Sequence, residues 1–465
     1  MSILTRIKGW SNMLLNNRAK EKFDIESVVS PQVESLVNRC VNVYRGSPEW
    51  LDAEDHIKTI NFAKSLCSET ARLTTLTAEI SITGSARADW LQEQINTIKG
   101  RLRDWVEYAC ACGTVILKPN LDSIDVYFPG DYIITEAING EITGAVFFDR
   151  EADEYNKRYY TRFEYHRFND DGSYTITNRC TVGATPNDTS KEIAIEKTPW
   201  VGLSEEETIH NLDKPLFAPL KTPHANNVDF GSPVSLPLFV DALEELQDLD
   251  IAYSRNAKEI ADSKRTVLLD ADRLLTGGYM GNQALNRNKM PDYIKLVDGT
   301  TDSSSDVYHE INPTLNTEIR IMGINALLSQ IGYKIGFSNG HFVFNESTGI
   351  QTATGVEAEQ QRTIQLIKDN RTSLENCIDA LVYALNAFAD LYELAPLGTY
   401  EIAYDFEDIT HNVEEDRARC YSWVQAGRYP FWLYLVNFEG YTEAEAKEIE
   451  AAATPKQPTL FGGEE

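Results

Sequence analysis

The residues of this chain best suited to metal or nucleophilic chemistry are its seven cysteines and seven histidines, and none is spaced for it. Cys40, Cys67, Cys110, Cys112, Cys180, Cys377 and Cys420 are scattered and odd in number, which is no disulfide framework. Cys110-Ala111-Cys112 is a C-x-C without a second Cys or His pair nearby, so no zinc tetrad is expected. The cysteines read as small buried hydrophobes in a reducing compartment. No H-E-x-x-H occurs. Gly277-Gly278-Tyr279-Met280-Gly281 lacks the G-K-[ST] ending and the strand–loop–helix setting of a phosphate loop. Among the 71 acids, Glu141, Asp149 and Glu164 are candidates for a hydrolase-type carboxylate pair in a β-rich cleft. No motif sets them apart, and with so many carboxylates a chance pair is expected. Neither catalytic residues, metal ligands nor cofactors are therefore assigned.

The charge balance narrows the field further. In 465 residues, 43 Lys and Arg face 71 Asp and Glu, a net charge of −28. That argues against a protein that grips phosphates over its whole surface. It leaves open one that handles nucleic acid without sticking to it. The charge is uneven: residues 1–22 are basic, whereas residues 401–465 hold 14 acids against 5 bases, a net of −9. A hydrophobic content of 42% is enough to bury cores, and the length allows about three domains. No apolar run approaches the ~20 residues that cross a bilayer. Ile3, Ile7, Trp10 and Leu14 recur at helical spacing, which predicts an amphipathic N-terminal helix without a signal peptide's unbroken apolar core. The expectation is a chain with no membrane partner that stays in the cytoplasm of the cell making it.

The elements fall into two textures, which together predict an α+β fold. Residues 30–110 read as helices starting at Ser30-Pro31 (with Val33, Leu36, Cys40 and Val43 on one face), over 60–73 and over 89–108, with a strand at 76–82. From 115 to 200 the apolar period becomes two. Asn139-Gly140 and Asp170-Asp171-Gly172 mark hairpin turns. After a Pro-rich crossing, Ser235 is placed to cap a helix over 236–264. That helix carries Leu243, Leu246 and Leu249 amid Asp241, Glu244, Glu245, Asp248 and Asp250. Short strands at 266–269 and 293–297 follow. A second helix over 314–336 repeats Ile321, Ile324, Leu328, Ile331 and Ile335 at spacings of three and four. A Gly/Asn/Ser loop comes next, then a very long helix opened by a Thr354…Glu357 capping box and stopped at Ala395-Pro396. A strand at 399–406 and an acidic helical tail close the chain.

This order resembles the portal proteins of tailed bacteriophages, in the SPP1-like subfamily. The resemblance spans residues 30–450. It rests on Pro129-Gly130-Asp131 through Ile142; on Pro215-Leu216-Phe217 to Asn226-Asn227-Val228-Asp229, followed by Gly231-Ser232-Pro233-Val234-Ser235; and most specifically on Thr348-Gly349-Ile350-Gln351-Thr352-Ala353-Thr354-Gly355-Val356-Glu357. Gly355 stands where the family usually has Glu.

The resemblance implies a portal fold that assembles into a ring, typically a dodecamer, at one capsid vertex of the virion. Residues 1–235 would be the wing, 236–264 and 313–336 the stem helices, and 265–312 the clip between them. Residues 337–353 would be a tunnel loop, 354–406 the wing's long helix and returning strand, and 407–465 the crown. Such a ring has no chemistry of its own. It passes double-stranded DNA inward and outward and docks the large terminase subunit and later the head–tail adaptor. It also meets the major capsid and scaffolding proteins. The tunnel-loop candidates are Asn339, Gly340, His341, Phe342, Phe344 and Asn345, and the channel-facing stem candidates are Glu244, Glu245, Asp248 and Lys334. An acidic wall would repel phosphates and let DNA slide, since each added phosphate contact tightens binding. Ordinary solvated acids explain the same residues, and Lys334 equally suits the helix's negative C-terminal end. The alternatives are another virion component, such as a head–tail adaptor or minor capsid protein, and a soluble acidic hydrolase.

Overall fold

Helical periodicity governs the first hundred residues. Strand β1 (Leu4–Arg6) and helices α1 (Met13–Phe23), α2 (Pro31–Tyr44) and α3 (Phe62–Thr74) are followed by β2 (Glu79–Thr83), α4 (Ala86–Ile98) and α5 (Leu102–Cys112) in the computed structural model. The structure describes residues 4–6, 13–51, 56–120, 123–153, 155–185, 188–263, 266–270, 294–297, 308–311, 316–343, 353–406 and 413–453. Two expectations change here. Residues 4–6, within the expected N-terminal helix, pair instead as an edge strand with residues 151–153, and helix α1 covers Met13–Phe23. The helix expected over 89–108 is two helices, parted by a 3-10 turn at Lys99–Arg101. Gly100, at the centre of that turn, weakens helix by about 1 kcal/mol relative to Ala. In α2 the buried face is Val33, Val37, Cys40, Val41 and Val43; three of the four expected residues are on it, and Leu36 is half-buried at its edge. Cys40, Cys67, Cys110 and Cys112 are buried free thiols of this helical layer. Burial pushes the Cys40, Cys110 and Cys112 thiols up to about 12, so they stay protonated and inert.

The two-residue period then becomes antiparallel sheet. β3 (Thr114–Asn120) pairs with β4 (Ser123–Tyr127) and with β11 (Ala218–Lys221). A larger sheet is built on β5 (Tyr132–Ile138), β6 (Glu141–Asp153), β7 (Arg158–Phe168) and β8 (Tyr174–Gly183), with short β1, β9 (Lys191–Ile193) and β10 (Glu206–Ile209) added at its margins. Both turn readings hold. Asn139 and Gly140 take φ of 52° and 82°, the left-handed pair of a two-residue hairpin, and Gly172 takes 80°.

Where the sheet hands over to the second half, backbone approach is close. Gly113, at φ 81°, lies so near residue 235 that a Cβ would stand 2.1 Å from the Ser235 carbonyl oxygen. Ser235 N–H donates to Thr114 Oγ1 at 3.0 Å, Thr222 Oγ1 to Leu236 O at 2.7 Å, and Leu238 N–H to Cys110 O at 2.8 Å. These bonds commit the backbone of 235–238 to the wall of α5 and β3. Ser235 is therefore no helix cap, and α6 (Leu243–Asp262) starts after a 3-10 turn at Val240–Ala242.

β12 (Thr266–Asp270) pairs in parallel with β13 (Ile294–Val297) and antiparallel with β14 (Tyr308–Ile311). Then come α7 (Thr317–Ile335) and α8 (Ala353–Leu391), 39 residues or about 58 Å at 1.5 Å per residue. α8 buries Ile367, Leu374, Ile378, Leu381 and Leu385 against α3, α4, β3 and β11. Three arginine and hydroxyl contacts fix it. Arg371 donates to the terminal carbonyls of α3, Leu73 O (3.4 Å) and Thr74 O (3.3 Å). Arg87, 1% exposed, donates to Asn386 O, Ala395 O and Pro396 O and pairs with Asp390 at 2.7 Å, closing the C-terminal end of α8. Tyr404 of β15 (Glu401–Asp405) donates to Asp379 Oδ1 at 2.6 Å, and β15 itself pairs with β2.

The chain divides into two compact units, Met1–Asp405 and Phe406–Glu465. In the second, α9 (Val413–Gln425), α10 (Phe431–Glu439) and α11 (Glu443–Ala453) pack around Tyr434, Leu435 and Ala446. Gly440 ends α10 in the left-handed region. Thr442 and Glu445 then exchange side-chain and backbone bonds as a capping box. Among the described residues no helix is long and apolar enough to cross a membrane.

Candidate functional site

α6 and α7 form an antiparallel hairpin. Near one end Glu259 accepts from Asn316 N–H at 3.2 Å and pairs with Arg320. Near the other, Glu245 accepts from Gln330 Nε2 at 3.2 Å and pairs with Lys334 at 2.5 Å. The three-stranded sheet of β12, β13 and β14 is connected between the two helices. On its inner side α7 buries Ile324, Leu328, Ile331 and Ile335, four of the five residues of the sequence stripe; Ile321 is half-buried. On the outer side Ile319 and Met322 are each 70% exposed and Tyr333 57%. With exposed Ala326 between them, these repeat at three, four and seven residues, the seam spacing of a helix that packs against another helix.

The acidic set of α6 divides three ways. Glu244 and Asp248, one turn apart, are exposed together. Glu245 is turned inward against α7, where Lys334 holds it; Lys334 also donates to the Asp241 carbonyl at 2.8 Å. Lys334 is thus engaged within its own hairpin. Asp250 is 3% exposed and faces the opposite way, accepting from Trp50 Nε1 and from Ile60 N–H, each at 2.9 Å. One turn on, Ser254 closes the same seam by exchanging bonds with the backbone of Lys58. Asp250 is a structural clamp that its acidic neighbours conceal in the sequence.

After α7 the chain makes a tight turn before the residues that lie outside the description. Gly336, at φ 109°, caps α7, and Gly340, at 80°, is a second left-handed position. Both glycines are turn positions in a packed segment. Phe337 is fully buried; Phe342 meets it at 4.8 Å and meets Phe62 of α3 edge-on at 5.2 Å. His341 packs against both phenylalanines, edge-on to Phe342, with Nε2 3.5 Å from Glu69. Asn339 is exposed. Ser338 is bonded to Thr363 of α8. Of the tunnel-loop candidates, Asn339, Gly340, His341 and Phe342 are therefore placed in one turn on α3, while Phe344 and Asn345 lie outside the described residues.

A second site was only partly legible in sequence. Arg162 of β7 pairs with Asp149 of β6 at 2.5 Å and with Glu164 at 2.8 Å, and Lys118 of β3 pairs with Glu164 as well. His166 donates Nε2–H to Glu164 at 2.9 Å. Its Nδ1 accepts from Tyr174 OH at 2.9 Å, a tautomer set by the Leu216 N–H that donates to the same tyrosine. Tyr127 OH donates to Asp149 at 2.8 Å. Burial alone would raise the Glu164 carboxyl, but Arg162, Lys118 and the His166 bond together hold it well below the usual range. Burial lowers His166 and keeps it neutral. Asp149 and Glu164 are thus brought together, both salt-bridged, whereas Glu141 stands exposed at the β5–β6 turn. The strand registers do the gathering, Phe147 opposite Glu164 and Asp149 opposite Arg162. No sequence spacing signals such a set.

Beside this network opens a cleft of about 460 Å³, lined by Asp125, Glu151, Trp200, Glu207, Phe388 and Tyr392 among others. Among the described residues no group of three or more His, Cys, Asp and Glu could hold a metal ion. No protein-family model matches the chain, and no curated protein is significantly similar to it.

Proposed function

We propose that this protein is a portal subunit, a ring-forming conduit at a capsid vertex through which double-stranded DNA is packaged and later ejected. The observation that carries the reading is the second apolar seam of α7. A helix already buried on one side by Ile324, Leu328 and Ile331 offers Ile319, Met322 and Tyr333 on the other. A hairpin with two apolar faces fits a repeated head-to-tail packing that closes on itself. The supporting features are the order of parts: a mixed wing, an antiparallel hairpin with a small sheet between its helices, a turn, and a 39-residue helix. In such a ring the exposed pair Glu244 and Asp248 would be repeated with the subunits and keep phosphates from binding.

On this reading the small sheet of β12–β14 is the docking element for the terminase motor and the head–tail adaptor. The test is electron microscopy of the purified protein in negative stain. Rings with a central hole are expected. A stable monomer with hydrolase activity would overturn the reading in favour of an enzyme.

A further inference from the structure

A head-to-tail ring takes two different surfaces from each subunit, and α7's outer seam is one of them. α6 carries a second stripe, Leu246, Asp250, Tyr253, Ala257 and Ile260, spaced four, three, four and three residues. Its first half is buried, with Asp250 bonded to Trp50 and Ile60. Its second half, toward the small sheet, is open: Tyr253 is 40% exposed, Ile260 50%, and Ala257 between them is exposed as well. The two seams lie on opposite sides of the hairpin. Asp250 of α6 meets the chain at Ile60. The buried side of α7 meets Phe342, 3.5 Å from where a Cβ on Gly332 would stand, and Phe342 packs on Phe62. One side of the hairpin therefore rests on residues 60–62. The α6 stripe runs on along that side beyond its support, whereas the α7 seam turns away from it.

The seams are also level. Glu245 with Gln330 and Lys334, and Glu259 with Asn316 and Arg320, fix how the antiparallel helices lie alongside each other. At 1.5 Å per residue, these contacts put Ala257 and Ile260 within about 3 Å of the height of Ile319, and Tyr253 within about 3 Å of Met322. A rotation about an axis parallel to the hairpin keeps those heights, so each seam arrives opposite the other on the next copy. The rims match in charge. Lys258 beside the α6 stripe and Glu318, one turn before Met322, are exposed at the same height, and neither makes an ion pair among the described residues. We infer that the exposed half of the α6 stripe is the seat for the α7 seam of a second copy of this chain, with Tyr253, Ala257 and Ile260 of one copy against Ile319 and Met322 of the next. The inference rests on the portal reading and supplies the second surface that its ring requires.

Disulfide trapping on the full chain tests it. Ala257→Cys and Ile319→Cys are introduced together and singly, with Cys420, the one native thiol that is not buried, changed to Ser. All three are exposed or half-buried changes that leave the core untouched. Within one chain the two new cysteines lie on opposite sides of the hairpin and cannot bridge. After oxidation, a denaturing gel without reductant should show the double variant as a ladder in steps of 52.4 kDa, and each single variant as one band. Native mass of the same samples separates the two ways of failing. Assembled rings that give no ladder would overturn the inference and leave the portal reading standing. So would a single variant that cross-links to itself, because that contact pairs like with like. A chain that stays monomeric would overturn the portal reading, and this inference with it.

Discussion

Lys334 and Glu245 meet at 2.5 Å across the hairpin, tying the last turn of α7 to the first turn of α6. The lysine side chain is 36% exposed and the glutamate 13%, so the pair fixes the register of the two helices more than it stabilises them. A double-mutant cycle of Lys334→Ala and Glu245→Gln should give a coupling of about 1 kcal/mol or less in urea denaturation. A coupling several times larger would mean that the hairpin depends on this pair and that the apolar seam is secondary.

Asp250 should matter far more than the acids around it. Removing it leaves Trp50 Nε1 and the Ile60 N–H without their acceptor in a buried seam. Asp250→Ala is expected to destabilise by about 2–4 kcal/mol, whereas Glu244→Ala and Asp248→Ala, both exposed, should each change stability by less than about 0.5 kcal/mol. Chemical denaturation of the three variants checks the ordering.

Arg87 holds the end of α8 through three carbonyls and Asp390. Arg87→Ala should cost about 3 kcal/mol or more, because a 1%-exposed guanidinium and its bonds to three part-buried carbonyls and Asp390 are lost together. Asp390→Asn should cost much less, since that carboxylate is 45% exposed. Thermal unfolding of the two variants would contradict the account if they fell equally.

Acid should weaken the fold in two stages. His166 has a folded pKa below its ordinary 6.5, so the unfolded chain takes up the proton first and stability falls as pH drops below about 6.5. His224, also lowered by burial, adds to the same stage. Glu164 has a folded pKa well below its ordinary 4.5, so its stabilisation is present above about 4.5 and lost on further acidification. Melting temperature measured against pH should show both stages, and His166→Gln should reduce the first, with His224 carrying the remainder, and shrink the second by the part that the His166 bond to Glu164 supplies.

What the sequence made legible follows from how local each signal is. Asn139-Gly140 announced its hairpin because the turn chemistry lies in two adjacent residues. The stripe on α7 announced its buried face because helical periodicity is local too. Tertiary bonds broke the other readings. The backbone of 235–238 bonds to α5 and β3, which moved the start of α6 to Leu243. The burial of Asp250 depends on Trp50, 200 positions away. The Lys118–Glu164 pair spans 46 positions and exists only through strand register. Nothing near Phe342 in sequence reveals its contact with Phe62.

The central claim is that α7's outer seam joins one subunit to the next in a closed ring. Native mass measurement of the wild-type chain beside Met322→Asp tests it most directly. With a subunit of 52.4 kDa, the account predicts a wild-type species of roughly 630 kDa for a dodecamer, lost in favour of monomer when Met322 becomes charged. A wild-type protein that stays at 52.4 kDa at every concentration would contradict it, as would a Met322→Asp variant that still closes the ring.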